Sequence, residues 1–267
     1  MQILKINADT AIFQEDELAI EEPMEIVLHW QQNGQKHERS LSITMRTPTQ
    51  HDAELAVGFL FTEGIIREIS DVIHVDSDFL TNKTHVTVHP EVAQGLDKLS
   101  RNFYTTSSCG VCGKTSLDSV WTQIRHTLTS QTPRINPTIL YQLPAKLLDF
   151  QTTFNQTGGI HASGLFNTDG NLLMLYEDVG RHNALDKLIG SAFAQAMLPL
   201  SNHILLVSGR ASFELVQKAL MAGIPILAAV GAPSTLAVEL ATANGMTLVG
   251  FLKNNSLNVY AGQERIG

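Results

Sequence analysis

Cysteine is scarce in this chain: Cys109 and Cys112 are the only two among 267 residues. That count excludes a secreted protein built on disulfides and makes a reducing cytoplasm the expected location. No uncharged run of 18 or more apolar residues occurs, so no membrane-spanning helix is expected. The opening "MQILKINADT" lacks the charged start and apolar run of a signal peptide. Basic residues are in deficit, 18 Lys and Arg against 26 Asp and Glu, for a net charge of -8. This excludes broad nucleic-acid binding, which needs a basic surface, but leaves room for a local cationic pocket. Neither GxGxxG nor GxxxxGK[ST] is present, so the dinucleotide fingerprint and the P-loop are both absent. There is no internal repeat and no low-complexity tract.

What is there suffices for a sizeable core. At 43% hydrophobic and 16% charged, the chain can form one large domain or two modest ones. Residues 1–100 read as a β-rich subdomain with one helix. In "EIVLHWQQNGQKHERSLSITM" apolar residues alternate on both sides of Asn33-Gly34, a strong hairpin signal. "DAELAVGFLFTEG" reads as a helix with Asp52 as N-cap and Gly64 as its stop. Residues 101–155 hold the cysteines, a helix expected over Ser116 to Thr127, and a proline-punctuated connector.

From residue 156 to 267 the pattern is α/β. "NLLMLYED", "HILLVSG", "IPILAAVG" and "MTLVGFL" read as strands alternating with helices, which indicates βαβ units and a parallel sheet covered on both faces.

In such a sheet ligands sit beyond the carboxyl ends of the strands. Those ends carry Ser208-Gly209-Arg210, "GAPST" from Gly231, and Lys253-Asn254-Asn255-Ser256. The first two also open helices, whose free N–H groups suit a phosphate, and Arg210 and Lys253 add charge. Arg181, His182 and Asn183 crowd a helix start at another strand end, where a cation opposes the helix dipole. Asp178 is positioned to cap that helix. His161 stands between glycines in "TGGIHASG", where the backbone is free to adapt.

"SSCGVCGK" admits several readings. Structural zinc wants four ligands, and no second CxxC or HxxxH accompanies this pair. The zinc-deaminase pattern fails because His161-Ala162-Ser163 has serine in place of the proton-shuttling glutamate and follows the CxxC. A thioredoxin-like pair needs a βα junction early in a small fold. The glycine- and serine-flanked setting suggests an exposed loop whose thiolate, favoured by Lys114, accepts a group and delivers it. Persulfide sulfur is one such group.

Taken in order, "SSCGVCGK", "TGGIHASGLF", "EDVGRHNALDKLIG", "LLVSGRASFELVQKALMAGIPILAAVGAP" and "TLVGFLKNNSLNVY" resemble the formate dehydrogenase accessory sulfurtransferases, the FdhD/NarQ family. "EEPMEIVL" and "MRTPTQHDAELAVGFLFTEGII" resemble it too, so the likeness runs nearly the length of the chain. It implies a cytoplasmic homodimer with a cytidine-deaminase-like α/β fold. It implies a sulfurtransferase that takes sulfur from a cysteine desulfurase and carries it as a persulfide to the molybdenum cofactor, bis-molybdopterin guanine dinucleotide, for formate dehydrogenase. Cys109 becomes the carrier and Cys112 its partner thiol. Phe251, Leu252, Lys253, Asn254, Asn255 and Ser256 would lie on the cofactor, with GDP as a mimic and no zinc required. The segment ends on Asn255-Ser256, which leaves its positive charge to Lys253 and Arg210. The same loops would also serve a non-catalytic chaperone of the cofactor or the apo-dehydrogenase; the CxxC favours the carrier.

Overall fold

The computed structural model describes residues 1–99, 124, 128 and 132–267. Cys109, Cys112 and most of the helix expected over Ser116 to Thr127 lie outside the described residues.

The chain opens with a two-stranded ribbon, β1 (Gln2–Asn7) and β2 (Thr10–Glu15). A four-stranded sheet follows, formed by β3 (Glu22–Gln32), β4 (Gln35–Arg46), β5 (Val72–Asp78) and β6 (Lys83–Val88) in the order β4-β3-β6-β5. The expected hairpin is there. Asn33 and Gly34 both take positive φ, +52° and +77°, as a two-residue turn matched to the strand twist requires. Helix α1 (Asp52–Thr62) stops before Gly64, whose φ is +75°. Asp52 is not its cap; His51 holds that position. The Asp52 carboxylate instead accepts hydrogen bonds from Arg46, from Nε at 3.0 and 3.2 Å and from Nη2 at 2.9 Å, because a fully buried guanidinium needs a counter-charge. Helix α2 (Pro90–Leu99) completes this half.

Helix α3 (Pro137–Phe150) forms where the sequence reading assigns no element. Asn136 caps it by accepting the Thr138 N–H at 3.0 Å, and Pro137 stands in the first turn. A short α4 (Thr152–Thr157) follows directly. The rest comprises β7 (His161–Asn167), β8 (Leu172–Asp178), α5 (Arg181–Ala194), β9 (His203–Val207), α6 (Phe213–Met221), β10 (Ile226–Ala229), α7 (Thr235–Ala243), β11 (Thr247–Lys253) and β12 (Ser256–Ala261).

Its six-stranded sheet runs β12-β11-β10-β9-β7-β8 and is mixed, not parallel throughout. Only β9, β10 and β11 are mutually parallel. β7–β8 and β11–β12 are hairpins, and strands joined by short turns can only be antiparallel. The glycine-rich "TGGIHASG" thus ends inside a strand, and "KNNS" is a hairpin turn.

Alternate residues send the six-stranded sheet's two faces to different cores. Leu205 and Val207 of β9 join a large core with α1, α5, α6, α7 and the inner face of the four-stranded sheet. Ile204 and Leu206 join Phe166, Ile226 and Val249 beneath Leu140, Leu143 and Leu147 of α3. The layers therefore run four-stranded sheet, helices, six-stranded sheet, α3.

At the centre α1 crosses α5 at very close range. A methyl group placed on Gly58 would lie 1.9 Å from the Asp186 carbonyl oxygen, and one on Gly190 would lie 1.9 Å from that of Glu54. From His182 to Phe193 every residue of α5 is buried, so its polar side chains must find partners inside the protein. Asp186 receives Lys218 Nζ at 2.9 and 3.0 Å and the Thr62 hydroxyl at 2.8 Å. Burial pushes the Asp186 carboxyl up while Lys218 opposes that push.

Candidate functional site

The antiparallel register of β7 against β9 pairs Ser163 with Val207 and against β8 pairs His161 with Asp178. The start of β7 therefore lies at the same sheet edge as the carboxyl ends of β8, β9 and β10. A methyl group on Gly209 would sit 3.3 Å from His161 Nδ1 and 3.9 Å from Arg181 Cδ, so these three residues meet. Ser208 joins them: its hydroxyl accepts the Ala162 N–H at 2.9 Å.

The loops beyond the strands are laced by backbone bonds. Gly231 N–H donates to Gly209 O at 2.9 Å, Ala211 N–H to Ala232 O at 3.2 Å, and Phe251 N–H to Gly231 O at 3.1 Å. Phe251 is exposed and holds φ +51°, a conformation that is costly for a bulky residue. Its neighbour Leu252 points into the core under α3. Lys253 and Ser256 pair across the Asn254-Asn255 turn, and all four are exposed.

His182 is buried. Its Nε2 is 3.3 Å from the Ser212 hydroxyl and 3.8 Å from Glu214 at the start of α6. Burial would raise the Glu214 carboxyl, but His182, the backbone and Ser212 overcome it and hold the group at about 2. His182 thus ties α5 to α6 beneath the surface, while His161 and Arg181 are part-exposed at the edge. Burial lowers the His161 pKa, and Arg181 and His182 lower it further, favouring the neutral ring.

Asp178 does not cap α5; Gly180 holds that position. Its carboxylate accepts four bonds: Gly180 N–H at 2.8 Å, Asn183 Nδ2 at 3.0 Å, Thr47 N–H at 3.2 Å and Lys187 Nζ at 2.6 Å. The loop after β4 is thereby fastened to the first turn of α5. Asn183 adds bonds to Thr44 and to the Met45 carbonyl at 3.1 and 2.7 Å. With Asp178 committed to Lys187, no carboxylate pairs with Arg181, Arg210 or Lys253 among the described residues. Arg181 Nε is buried without a hydrogen-bond partner among the described residues. An edge whose cations have no carboxylate partner among the described residues, with a neutral imidazole beside them, suits a diphosphate.

Beside this edge lies a cleft of about 480 Å³ under α3 and α4. Leu147, Leu148, Phe154, Val179 and Val230 give it apolar walls, and His161, Ser208 and Gln151 supply polar groups. Gln151 and Phe154 carry no signal in the sequence, because the α3–α4 corner that places them has no motif. Among the described residues no group of three or more His, Cys, Asp and Glu is placed to hold a metal. No described helix is long and apolar enough to cross a membrane.

Known proteins share this chain's sequence and fold. The model of the FdhD/NarQ family matches residues 19–267. The sulfur carrier protein FdhD of Streptomyces coelicolor is 49% identical over 274 residues, spanning 99% of this chain and 94% of that protein. The protein of the same name from Sulfolobus acidocaldarius is 41% identical over 266 residues, spanning 100% and 97%. A crystal structure from Desulfotalea psychrophila, described as a formate dehydrogenase accessory protein, superimposes with a TM-score of 0.74 at 24% identity. It covers 100% of this chain and 98% of that one. Matched from residue 19 to its last residue, the chain belongs to the FdhD/NarQ family.

Proposed function

We propose that this chain is a sulfur carrier for formate dehydrogenase, acting as a sulfurtransferase on the molybdenum cofactor. The observation that carries this reading is its end-to-end similarity to proteins named sulfur carrier, in a chain whose only two thiols are spaced CxxC. The thiolate of Cys109 attacks the outer sulfur of a cysteine desulfurase's persulfide. A new S–S bond forms on Cys109 and the donor cysteine leaves as thiolate, with no net oxidation. Cys112, three positions on in the sequence, is read as its partner thiol.

The cofactor is cargo. Its guanine dinucleotide end is read here as the ligand of the sheet edge, held by Arg181, Arg210 and Lys253 with the amides around Gly209. Among the described residues these cations have no carboxylate partner and the buried Arg181 Nε has no acceptor, which supports this reading. The six-stranded sheet with helices on both faces is read as cytidine-deaminase-like. The working unit is read as a homodimer joined through the β1–β2 ribbon. Leu4, Ile6 and Phe13 are exposed on one face of that ribbon, and a lone two-stranded ribbon is marginal in water.

The deciding experiment is mass spectrometry after incubation with a cysteine desulfurase and cysteine. One added sulfur atom, lost on reduction and missing in Cys109→Ala, is expected. Absence of added sulfur together with full rescue of a deletion strain by Cys109→Ala would replace the carrier by a chaperone.

A further inference from the structure

The four-stranded sheet has a second face, turned away from the core, and one end of it is apolar. On the edge strand β4, Ile43 and Met45 are exposed and alternate with the buried Ser42 and Thr44, as a strand with one covered face requires. Ile43 pairs with Glu25, Glu25 with Lys83 and Lys83 with Asp78, so one row crosses all four strands. Just past that row the turn between β5 and β6 carries Phe79 and Leu80, the latter 97% exposed. This turn is pinned. The Asp78 carboxylate accepts the Leu80 N–H at 2.9 Å and the Thr81 hydroxyl at 2.7 Å. The Asn82 carbonyl accepts the Glu25 N–H at 2.9 Å, and its side-chain oxygen accepts Arg46 Nη2 at 2.9 Å. Apolar side chains grouped on a fixed turn and strand end, unlike scattered single ones, mark a surface that meets a partner.

The segment that leads into β3 says what kind of partner. Leu18 and Ile20 are exposed on it. No lysine or arginine occurs between Lys5 and Lys36, whereas seven acidic residues do. Within the sheet Glu22 and Glu25 are answered by Arg46 and Lys83, at 3.2 and 2.9 Å. Glu15, Glu17 and Glu21 are exposed to solvent instead. The segment also passes the functional edge: a methyl group placed on Gly159, two residues before His161, would lie 3.5 Å from Ala19 Cβ. An acidic, apolar surface thus runs from beside that edge to the Phe79-Leu80 turn.

We propose that this surface docks the apo-formate dehydrogenase, through a cation-lined mouth on that enzyme with an apolar seat for Phe79 and Leu80. An enzyme that receives a cofactor bearing phosphates must present cations where it enters. Those cations are drawn to the acidic segment, which sets the approach and its rate, while the apolar turn holds the complex. The sulfur donor has to reach only Cys109, whereas the recipient has to reach the cargo at the edge that this segment adjoins. The inference rests on the carrier reading and adds to it the surface that the recipient uses.

The test is interferometry of the full-length protein on immobilised apo-formate dehydrogenase, run beside persulfide loading by a cysteine desulfurase. The wild type should bind, and more weakly as salt rises. Phe79→Ser combined with Leu80→Ser should weaken binding by about tenfold or more. Glu17→Lys combined with Glu21→Lys should slow association by about tenfold and flatten the salt dependence. Both double variants should melt as the wild type does and load persulfide normally. If both bind the dehydrogenase like the wild type, or the wild type does not bind it, the inference is overturned, while normal persulfide loading keeps the carrier reading. Normal dehydrogenase binding with poor loading in the variants would give the surface to the sulfur donor instead. Normal dehydrogenase binding with loss of a wild-type dimer, seen by sedimentation, would give it to a second copy of the chain. If the wild type takes up no sulfur but both variants still lose dehydrogenase binding, the carrier reading fails and the docking surface stands.

Discussion

His161 is held neutral by its surroundings, and that has a measurable sign. Burial depresses its pKa first, then Arg181 and His182. Burial also depresses His29 and His203. Such a group binds protons more readily unfolded, so its stabilisation is complete above the unfolded value of about 6.5 and declines as pH falls below it. The melting temperature should accordingly be lower at pH 5.5 than at pH 7.5, with a smaller difference in His161→Gln. An equal difference in the variant would remove His161 from this account. Glu214 does not contribute to that window, because a carboxyl held at about 2 loses its stabilisation only as pH falls from about 4.5 toward 2. The exposed cations Arg210 and Lys253 make a second prediction at this scale. Each changed to alanine should weaken GDP by roughly tenfold to a hundredfold, the worth of a charge-assisted bond, while Cys109→Ala binds GDP normally. Unchanged affinity in both cation variants would move the diphosphate elsewhere.

Among the elements, α5 shows most plainly what a sequence can and cannot disclose. "RHNALDKLIGSAFA" is legible as a helix, but its Asn183, Asp186 and Lys187 look like a solvated face. They are buried because their partners, Thr44, Lys218 and Asp178, come from elements 9 to 139 residues away. Long-range pairing leaves no local trace. The Asn33-Gly34 hairpin was legible for the opposite reason, since two positive φ angles are a local demand. Asp52 and Asp178 misled as caps because a carboxylate near a helix start also serves a buried cation. The crossing of α1 and α5 supplies the prediction for this scale. Gly190→Ala should destabilise the protein by about 1–3 kcal/mol or more, because its methyl group meets backbone that cannot move aside. Chemical denaturation measures it; a loss under 0.5 kcal/mol would mean the helices can separate freely. Lys218→Met should cost about 3–5 kcal/mol by stranding Asp186 without its cation.

For the whole molecule, the sulfur chemistry was legible only through the ordered series of motifs, since two cysteines alone admitted several chemistries. The sheet edge proposed as the binding site was legible in part. Strand ends announced Ser208, Gly209 and Arg210, whereas Gln151 enters only because α3 folds back over the sheet. The ribbon gives the prediction for the assembly. With Ile6 and Phe13 both changed to serine, the protein should sediment as a monomer and keep its fold. A dimer that persists would place the interface elsewhere.

The clasp between the end of β4 with its following loop and the first turn of α5 has a bearing on recombination. Thr44 and Thr47 reach Asn183, Asp178 and Val179 by hydrogen bonds of 3.1 to 3.2 Å, a polar joint between the halves of the chain beside the apolar crossing of α1 and α5. A chimera that takes residues 1–99 from a distant relative would inherit one side of that joint without the other. It should express poorly unless both sides travel together, which makes this joint, more than any linker, the seam along which the two halves of the gene must change in step.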